Sequence, residues 1–451
     1  MSALKIALRS LTRLPGRHGT CPATPGIAAS SYSVRWISLL RPPGFDMNAP
    51  CEQTALEMVE HLSDAVIGGP KNYDPAAFQR QRESLMEFLP PSQSDLPPRK
   101  MVDSFDQALI PLGSDRKLRD RYLTQFGGVR VGRLLEDMDI FAVHLVFKHM
   151  LNPRQAVGNL QSPFSIVTAL VDRIDVKMNI PSDQDIKLMG HVTWVGKSSV
   201  ESTLELWQLR DGDWVHVTDA TFVMVVRDPI NKGSSFVNPL VVETDVEKAL
   251  LNRGERNKIA RYAMTTESLF KNPPSEEEKR LIHDFFISTV DHKALSFKAR
   301  VKPPNSVWME DAKLKNILIC QPEYRNRFNK IFGGFIMRQA FELAWANTFV
   351  YSGQRPYTNH MDDILFRMPV DVGSLLYFNS QICYTEGNRI QTRVSAEILD
   401  PTTGNLSLSN VFQYTFSVDG QPAPSIVPKS YHEAMMYLEG RRHFLNSTTD
   451  H

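Results

Sequence analysis

Cysteine is scarce: four stand in 451 residues, at positions 21, 51, 320 and 383, and no two are spaced as CxxC. That excludes a disulfide framework and a zinc knuckle, and a reduced, metal-free chain is expected. Long apolar runs are missing too. Even the most apolar stretch, IFGGFIMRQAFELAWANTF (331–349), is broken by Arg338, Gln339 and Glu342, so no membrane span is expected. There is no GxSxG, and neither His191 nor His360 has a Ser or Cys partner at an informative spacing, which argues against a Ser-His-Asp nucleophile. Excess charge is also absent. The formal net charge is +1, and no basic stripe suggests nucleic acid. What is present is ordinary globular stock, 42% apolar and 22% charged, with enough chain for two or three cores.

One local bias stands out. Lys5, Arg9, Arg13, Arg17, Arg35 and Arg41 precede the first acid, Asp46. An Arg-rich, Ser-containing, acid-free segment without a continuous apolar core is the pattern of a mitochondrial transit peptide, expected over 1–45 with the matrix as destination. Without those six, 45 basic residues face 50 acidic ones, so the body is slightly negative.

Laid against itself, the chain shows a divergent repeat. TALVDRIDV (168–176) matches TNHMDDILF (358–366) at an offset of 190, pairing Thr168 with Thr358 and Asp172 with Asp362. HVTWVGKSSVESTLELW (191–207) then faces ICYTEGNRIQTRVSAEI (382–398), two alternating strands turning at Gly196 and Gly387, and a third strand follows in each half. Upstream, FGGVRVGRLLEDMDIFAVHLVF (126–147) answers FGGFIMRQAFELAWANTF (332–349) at an offset of 206, so about sixteen extra residues are expected between helix and sheet in the first half. A Gly pair opening an apolar helix, followed by an antiparallel meander, gives one α+β unit per half. The expected organisation is a leader (1–45), an N-terminal arm (46–100), a first unit (101–230), a helical connector with a capping box at Ser275–Glu278 (231–300), a second unit (301–425) and a tail (426–451).

The Asn-containing loop before FGG (326–334), the T-x-x-x-D-x-I stretch and the strand-turn-strand TWVGKSSVE, an ordered set that occurs twice, resemble the hotdog-fold acyl-CoA thioesterases over residues 101–425, in particular their mitochondrial double-hotdog branch. The resemblance implies an α+β tandem double hotdog, each unit a helix wrapped by an antiparallel sheet. It implies hydrolysis of acyl-CoA to free acid and coenzyme A where two units meet, with coenzyme A part of the substrate and no separate cofactor. A homo-oligomer, as a trimer of double-hotdog chains, is the assembly expected.

Thioester hydrolysis needs a polarised carbonyl, an activated water and a grip on the carrier. Gly127-Gly128 and Gly333-Gly334 precede apolar helices, so Gly128 and Gly334 are the expected oxyanion donors at helix N-termini. Asn326 fits the family's amide; seven residues before the other Gly pair stands Asp120. A lone acid on an apolar helix is costly unless it serves a purpose. Glu342 is such an acid, matched by Glu136, and the first helix adds Asp137 and Asp139. The family's single-unit members place the acid one residue earlier, where this alignment has Leu135 and Phe341, which leaves open which carboxylate acts. Gly196-Lys197-Ser198-Ser199 is the expected seat for the CoA phosphates, with Asn388 and Arg389 in the matching turn. Asp172 and Asp362 read as structural, bonding backbone near a helix start. The unequal halves predict one working site per chain, combining Asn326 with Glu136 and Asp137, while Asp120 and Glu342 form an inactive pair. Two alternatives remain: an acyl-CoA-binding regulator with decayed sites, and a hotdog hydratase.

Overall fold

The computed structural model describes residues 41–42, 44–58, 75–153, 162–172, 174–175, 180–266, 268–294, 297, 299–326 and 329–448; most of the expected leader lies outside them. The first half runs β1 (Asp106–Ile110), α1 (Arg116–Tyr122), α2 (Val131–His149), β2 (Ser165–Val171), β3 (Ile186–Val195), β4 (Ser199–Arg210) and β5 (Asp213–Arg227). Helices α3 (Asp245–Thr266) and α4 (Glu276–Thr289) follow. The second half runs β6 (Lys313–Ile319), α5 (Gly333–Ser352), β7 (Pro356–Met361), β8 (Ile364–Phe366), β9 (Leu375–Glu386), β10 (Arg389–Leu399) and β11 (Leu406–Val418), and α6 (Tyr431–Thr448) closes the chain.

Turn chemistry sets the meanders. Asp211 and Gly212 both take positive φ (51° and 93°), the two-residue hairpin turn whose twist suits the flanking β4 and β5. α5 stops at Gly353, whose φ of 67° a side chain would resist. α2 ends with Lys148 in its last turn, a cation that complements the helix dipole.

Among the described residues the two meanders join into one twelve-stranded sheet, ten strands of which run in the order β6-β9-β10-β11-β8-β2-β5-β4-β3-β1, while β7 and the short strand Ile174–Asp175 pair off that path. The seam is a strand pair: Ile364 and Leu365 of β8 face Val171 and Leu170 of β2, antiparallel. Met361 and His360 of β7 continue it against Ile174 and Asp175, and His360 Nδ1 lies 2.7 Å from Asp175 Oδ1. α2 and α5 pack against each other and against the strands of their own halves, within one shared apolar core that includes Leu135, Phe141, Leu188, Phe222, Phe335, Phe341, Phe378 and Tyr414. Their closest approach is at Gly334, where an added Cβ would lie 2.8 Å from Glu136 Cα and 3.0 Å from Glu136 O, so only glycine fits.

Helix α6 packs on β9, β10 and β11 through a core of its own around Ile382, Tyr384, Tyr437, Leu438 and Phe444. α3 packs on β3 in the same manner, Gly254 against Trp194 as Gly440 of α6 sits against Cys383. These flanking helices also claim the repeated aspartates. Arg261 Nε donates to Asp172 Oδ1 at 3.0 Å, and Asp362 pairs with His443 Nδ1. Asp172 and Asp362 therefore tie a helix to the sheet by side-chain ion pairs. For Asp362 this adds to the expected backbone bonding, since its Oδ1 also accepts from the Asp363 N–H at 2.8 Å; the helix partners lie 89 and 81 residues away in sequence.

Candidate active site

The loops leading into α2 and α5 fix how the two halves correspond. Leu123 bridges Val129, and Arg325 bridges Ile331. The Arg130 N–H donates to Tyr122 O as the Phe332 N–H donates to Tyr324 O, and Thr124 N–H to Gly128 O as Asn326 N–H to Lys330 O. Gly127 (φ +79°) occupies the left-handed position that Asn329 (φ +57°) holds in the second half. The true offset is thus 202, and Tyr122, Thr124, Gly132 and Asp139 correspond to Tyr324, Asn326, Gly334 and Phe341. The sheet keeps its offset of 190, so the first half carries twelve extra residues and not sixteen.

This register corrects several expectations. Gly127-Gly128 do not open a helix: the Gly128 N–H is bonded to Thr124 Oγ1 at 3.1 Å, and α2 begins at Val131-Gly132. Gly128 is therefore no oxyanion donor. Asp120 sits exposed on α1 and is not the counterpart of Asn326; Thr124 is. The acid position aligned with Phe341 is Asp139, not Leu135.

Asp139 is where the halves meet chemically. Its Oδ1 accepts from the Thr168 hydroxyl at 2.7 Å, and its Oδ2 accepts from the Gly334 N–H at 2.7 Å, at the N-terminus of α5. The expected oxyanion donor Gly334 thus serves the carboxylate. Asp139 is 1% exposed, and burial pushes its pKa up to about 6 against the two hydrogen bonds that favour the anion. Asp139, Thr168 and Asn326 line one cavity of about 170 Å³ with Val143, Phe332, Gly333, Ile336, Phe366 and Arg227. Asn326 Oδ1 accepts from the Lys330 N–H at 3.2 Å, which fixes the rotation of its amide. Arg227 is buried, donates from Nη2 to Asn231 O at 2.8 Å, and leaves Nε without a partner among the described residues.

The other acids on α2 lie elsewhere. Glu136 is held by Arg133 Nη1 at 2.6 Å and Arg338 Nε at 3.0 Å, and Asp137 accepts from Tyr122 Oη at 2.6 Å. Burial pushes Asp137 up to about 7. Both border a different cavity of about 120 Å³ beside Leu56, Tyr324 and Phe335, so neither meets Asn326. Positions 136 and 139 share a face of α2 that 137 does not; Glu136 meets Gly334 with its backbone and turns its carboxylate to Arg338, whereas Asp139 bonds the Gly334 N–H with its side chain. Glu342 pairs with Arg130 in the wall of a third cavity, of about 610 Å³. That cavity is the pseudo-symmetric mate of the first, with Thr124, Phe341 and Thr358 where the first has Asn326, Asp139 and Thr168.

Lys197-Ser198-Ser199 and Asn388-Arg389 line neither cavity, yet each turn ends the strand beside one. Ser199 pairs with Val225, two residues before Arg227, and Arg389 pairs with Ser417, which faces Tyr357. Lys197 Nζ lies exposed, 5.2 Å from the Phe236 ring centre. Thr168 and Thr124 had no assigned role in the sequence; the repeat Thr168/Thr358 and the pattern Tyr-x-(Thr/Asn)-x-Phe shared by 122–126 and 324–328 were the signals.

Paired strands, two central helices and a continuous sheet make this a double-hotdog protein. No protein-family model matches the chain. It is 48% identical over 378 residues to the acyl-coenzyme A thioesterase 9, mitochondrial, of Mus musculus, covering 83% of this chain and 85% of that one. The Homo sapiens protein of the same name is 47% identical over 381 residues (84% and 86%), and acyl-coenzyme A thioesterase 4, mitochondrial, of Humulus lupulus is 34% identical over 367 residues (78% and 68%). Among solved structures, an acyl-CoA hydrolase from Staphylococcus aureus in complex with butyryl coenzyme A, coenzyme A and coenzyme A disulfide aligns at 20% identity and a TM-score of 0.30, over 31% of this chain and 89% of that one. The chain belongs to the acyl-coenzyme A thioesterase family.

Proposed function

We propose that the chain hydrolyses acyl-CoA thioesters to free acid and coenzyme A in the Asn326–Asp139–Thr168 cavity, and that this is its one hydrolytic site. The observation that carries the proposal is the meeting of an amide from one half with a buried carboxylate from the other at the N-terminus of α5. Asp139, with its pKa near 6, is ionised at neutral pH yet basic enough to take a proton, the compromise a general base needs. As the water oxygen bonds the thioester carbonyl carbon, its proton passes to Asp139. The tetrahedral intermediate then collapses, the carbon–sulfur bond breaks, and Asp139 returns the proton to the leaving thiolate. Asn326 orients the water or carbonyl, the dipole of α5 favours the developing oxyanion, and Thr168 holds the carboxylate in place. Arg227, with its unpartnered Nε, and the Lys197 turn are positioned for the carrier's anionic groups.

Thiol release from acyl-CoA, followed with a thiol reagent, tests the reading: Asn326→Ala and Asp139→Asn should each abolish most of it, and full activity in either would remove the site. The basic, acid-free leader and the mitochondrial relatives support a mitochondrial destination, checked by the location of a fusion carrying residues 1–50. Assembly into a homo-oligomer, a trimer, is part of the proposal: edge strand β6 leaves Ile317 and Ile319 50% and 59% exposed, an edge that a second copy would cover. A monomeric mass by light scattering would dismiss it.

A further inference from the structure

The larger cavity has lost the chemistry of the smaller but not its room. We propose that it is a second CoA-ester site, one that binds without hydrolysing; this rests on the function proposed above. Phe341 stands where the base would be and Thr124 where the amide would be, and the carboxylate in the wall, Glu342, is tied up by Arg130. Its volume of about 610 Å³ lies inside the range of about 300–1,000 Å³ usual for ligand pockets, which a merely collapsed relic would not keep. The walls suit an amphiphile with an anionic head. Phe126, Phe341, Trp345 and Ile180 supply apolar surface, with Phe126 and Trp345 ring centres 6.1 Å apart.

The polar groups at the wall divide clearly. Arg130 and Glu342 neutralise one another. Arg355 has no carboxylate partner among the described residues; its guanidinium lies 4.6 Å from the Phe126 ring centre and 4.9 Å from that of Tyr357. Asn359, which also lines the cavity, has Oδ1 buried without a hydrogen-bond partner among the described residues. A held cation and an orphaned acceptor ask for an anion and a donor from a ligand. A CoA ester brings both, phosphates for Arg355 and amide N–H groups of its pantetheine arm for Asn359. The Asn388-Arg389 turn stands beside this cavity as the Lys197 turn stands beside the first, so the carrier would lie along the equivalent strand end.

The probe is an S-alkyl-CoA thioether, which cannot be hydrolysed, titrated calorimetrically into the full chain. The expected result is two equivalents bound per chain in the wild type and in Asp139→Asn, with one of them weakened tenfold or more by Arg355→Glu and by Asn359→Leu. Asn359→Leu is the control for folding, since it removes an acceptor that no described residue satisfies. One equivalent in the wild type, unaltered by Arg355→Glu, overturns the second site, and if thiol release from acyl-CoA persists in that preparation the hydrolytic reading survives it. Binding of a free fatty acid but not of the thioether at the Arg355-sensitive site overturns the CoA-ester assignment. Residual thiol release in Asp139→Asn that vanishes on adding Arg355→Glu overturns the claim that the cavity is silent.

Discussion

Replacing Asp139 by Asn should make the protein inactive and no less stable. The shapes are the same, and the amide can keep both partners: Oδ1 accepts from the Gly334 N–H while Nδ2 donates to the Thr168 hydroxyl, which rotates to accept. What changes is charge. A carboxyl held at about 6 against an ordinary 3.8 costs the ionised folded state about 3 kcal/mol, at about 1.4 kcal/mol per pH unit. Because the folded value is raised, that cost is absent below pH 4, grows between 4 and 6, and is complete above. The neutral amide escapes it, so at pH 8 the variant should melt at or above the wild-type temperature, while at pH 4 the two should converge. Turnover moves the other way. Loss of a general base is worth roughly 10²–10⁴ in rate, so single-turnover thiol release should fall by at least about a hundredfold. Thermal melts at pH 4 and 8 and rapid-mix assays on one preparation read both. A variant that loses stability at pH 8, or keeps kcat within fivefold, would refute the reasoning.

Glu136→Gln and Asp137→Asn, which neighbour the base in sequence but border another cavity, should leave kcat within about fivefold, because their partners are Arg133, Arg338 and Tyr122; a hundredfold loss in either would return the base to them. The pH–rate profile of kcat should rise through an acid limb near 6 as Asp139 ionises, and that limb should vanish in Asp139→Asn, although a limb near 7 would point to Asp137. Gly334→Ala must push α2 and α5 apart, and should cost about 1–3 kcal/mol in chemical denaturation together with activity. His443, part-buried beside Asp362, has its pKa raised despite desolvation. Its stabilising pair is complete below the ordinary histidine range and fades as pH rises through the folded value, so His443→Gln should lower the denaturation midpoint at pH 6 more than at pH 9.

The sequence alone determined what local chemistry determines. Asp211-Gly212 fixes a hairpin because φ must be positive at both positions. The alternating runs on either side of it could only be strands, and the repetition of the whole pattern required two like units. The resemblance carried by those motifs then supplied the double hotdog. Only the tertiary structure decided the register and hence the site. A glycine pair before an apolar helix reads locally as the helix start, and it is one at Gly333. At Gly127 the same letters serve a left-handed loop position, and the glycine pair by itself does not separate the two uses; only the Tyr-x-(Thr/Asn)-x-Phe pattern before it hints at the difference. The four-residue slip that follows moved the proposed base from Asp139 to its neighbours and the amide's counterpart from Thr124 to Asp120. Asp139 and Gly334 are 195 residues apart, joined by one hydrogen bond that exists because α2 and α5 cross at a point without a side chain. Burial at that crossing sets the acidity of the carboxylate, and burial belongs to the packed pair of helices, not to either segment of the chain.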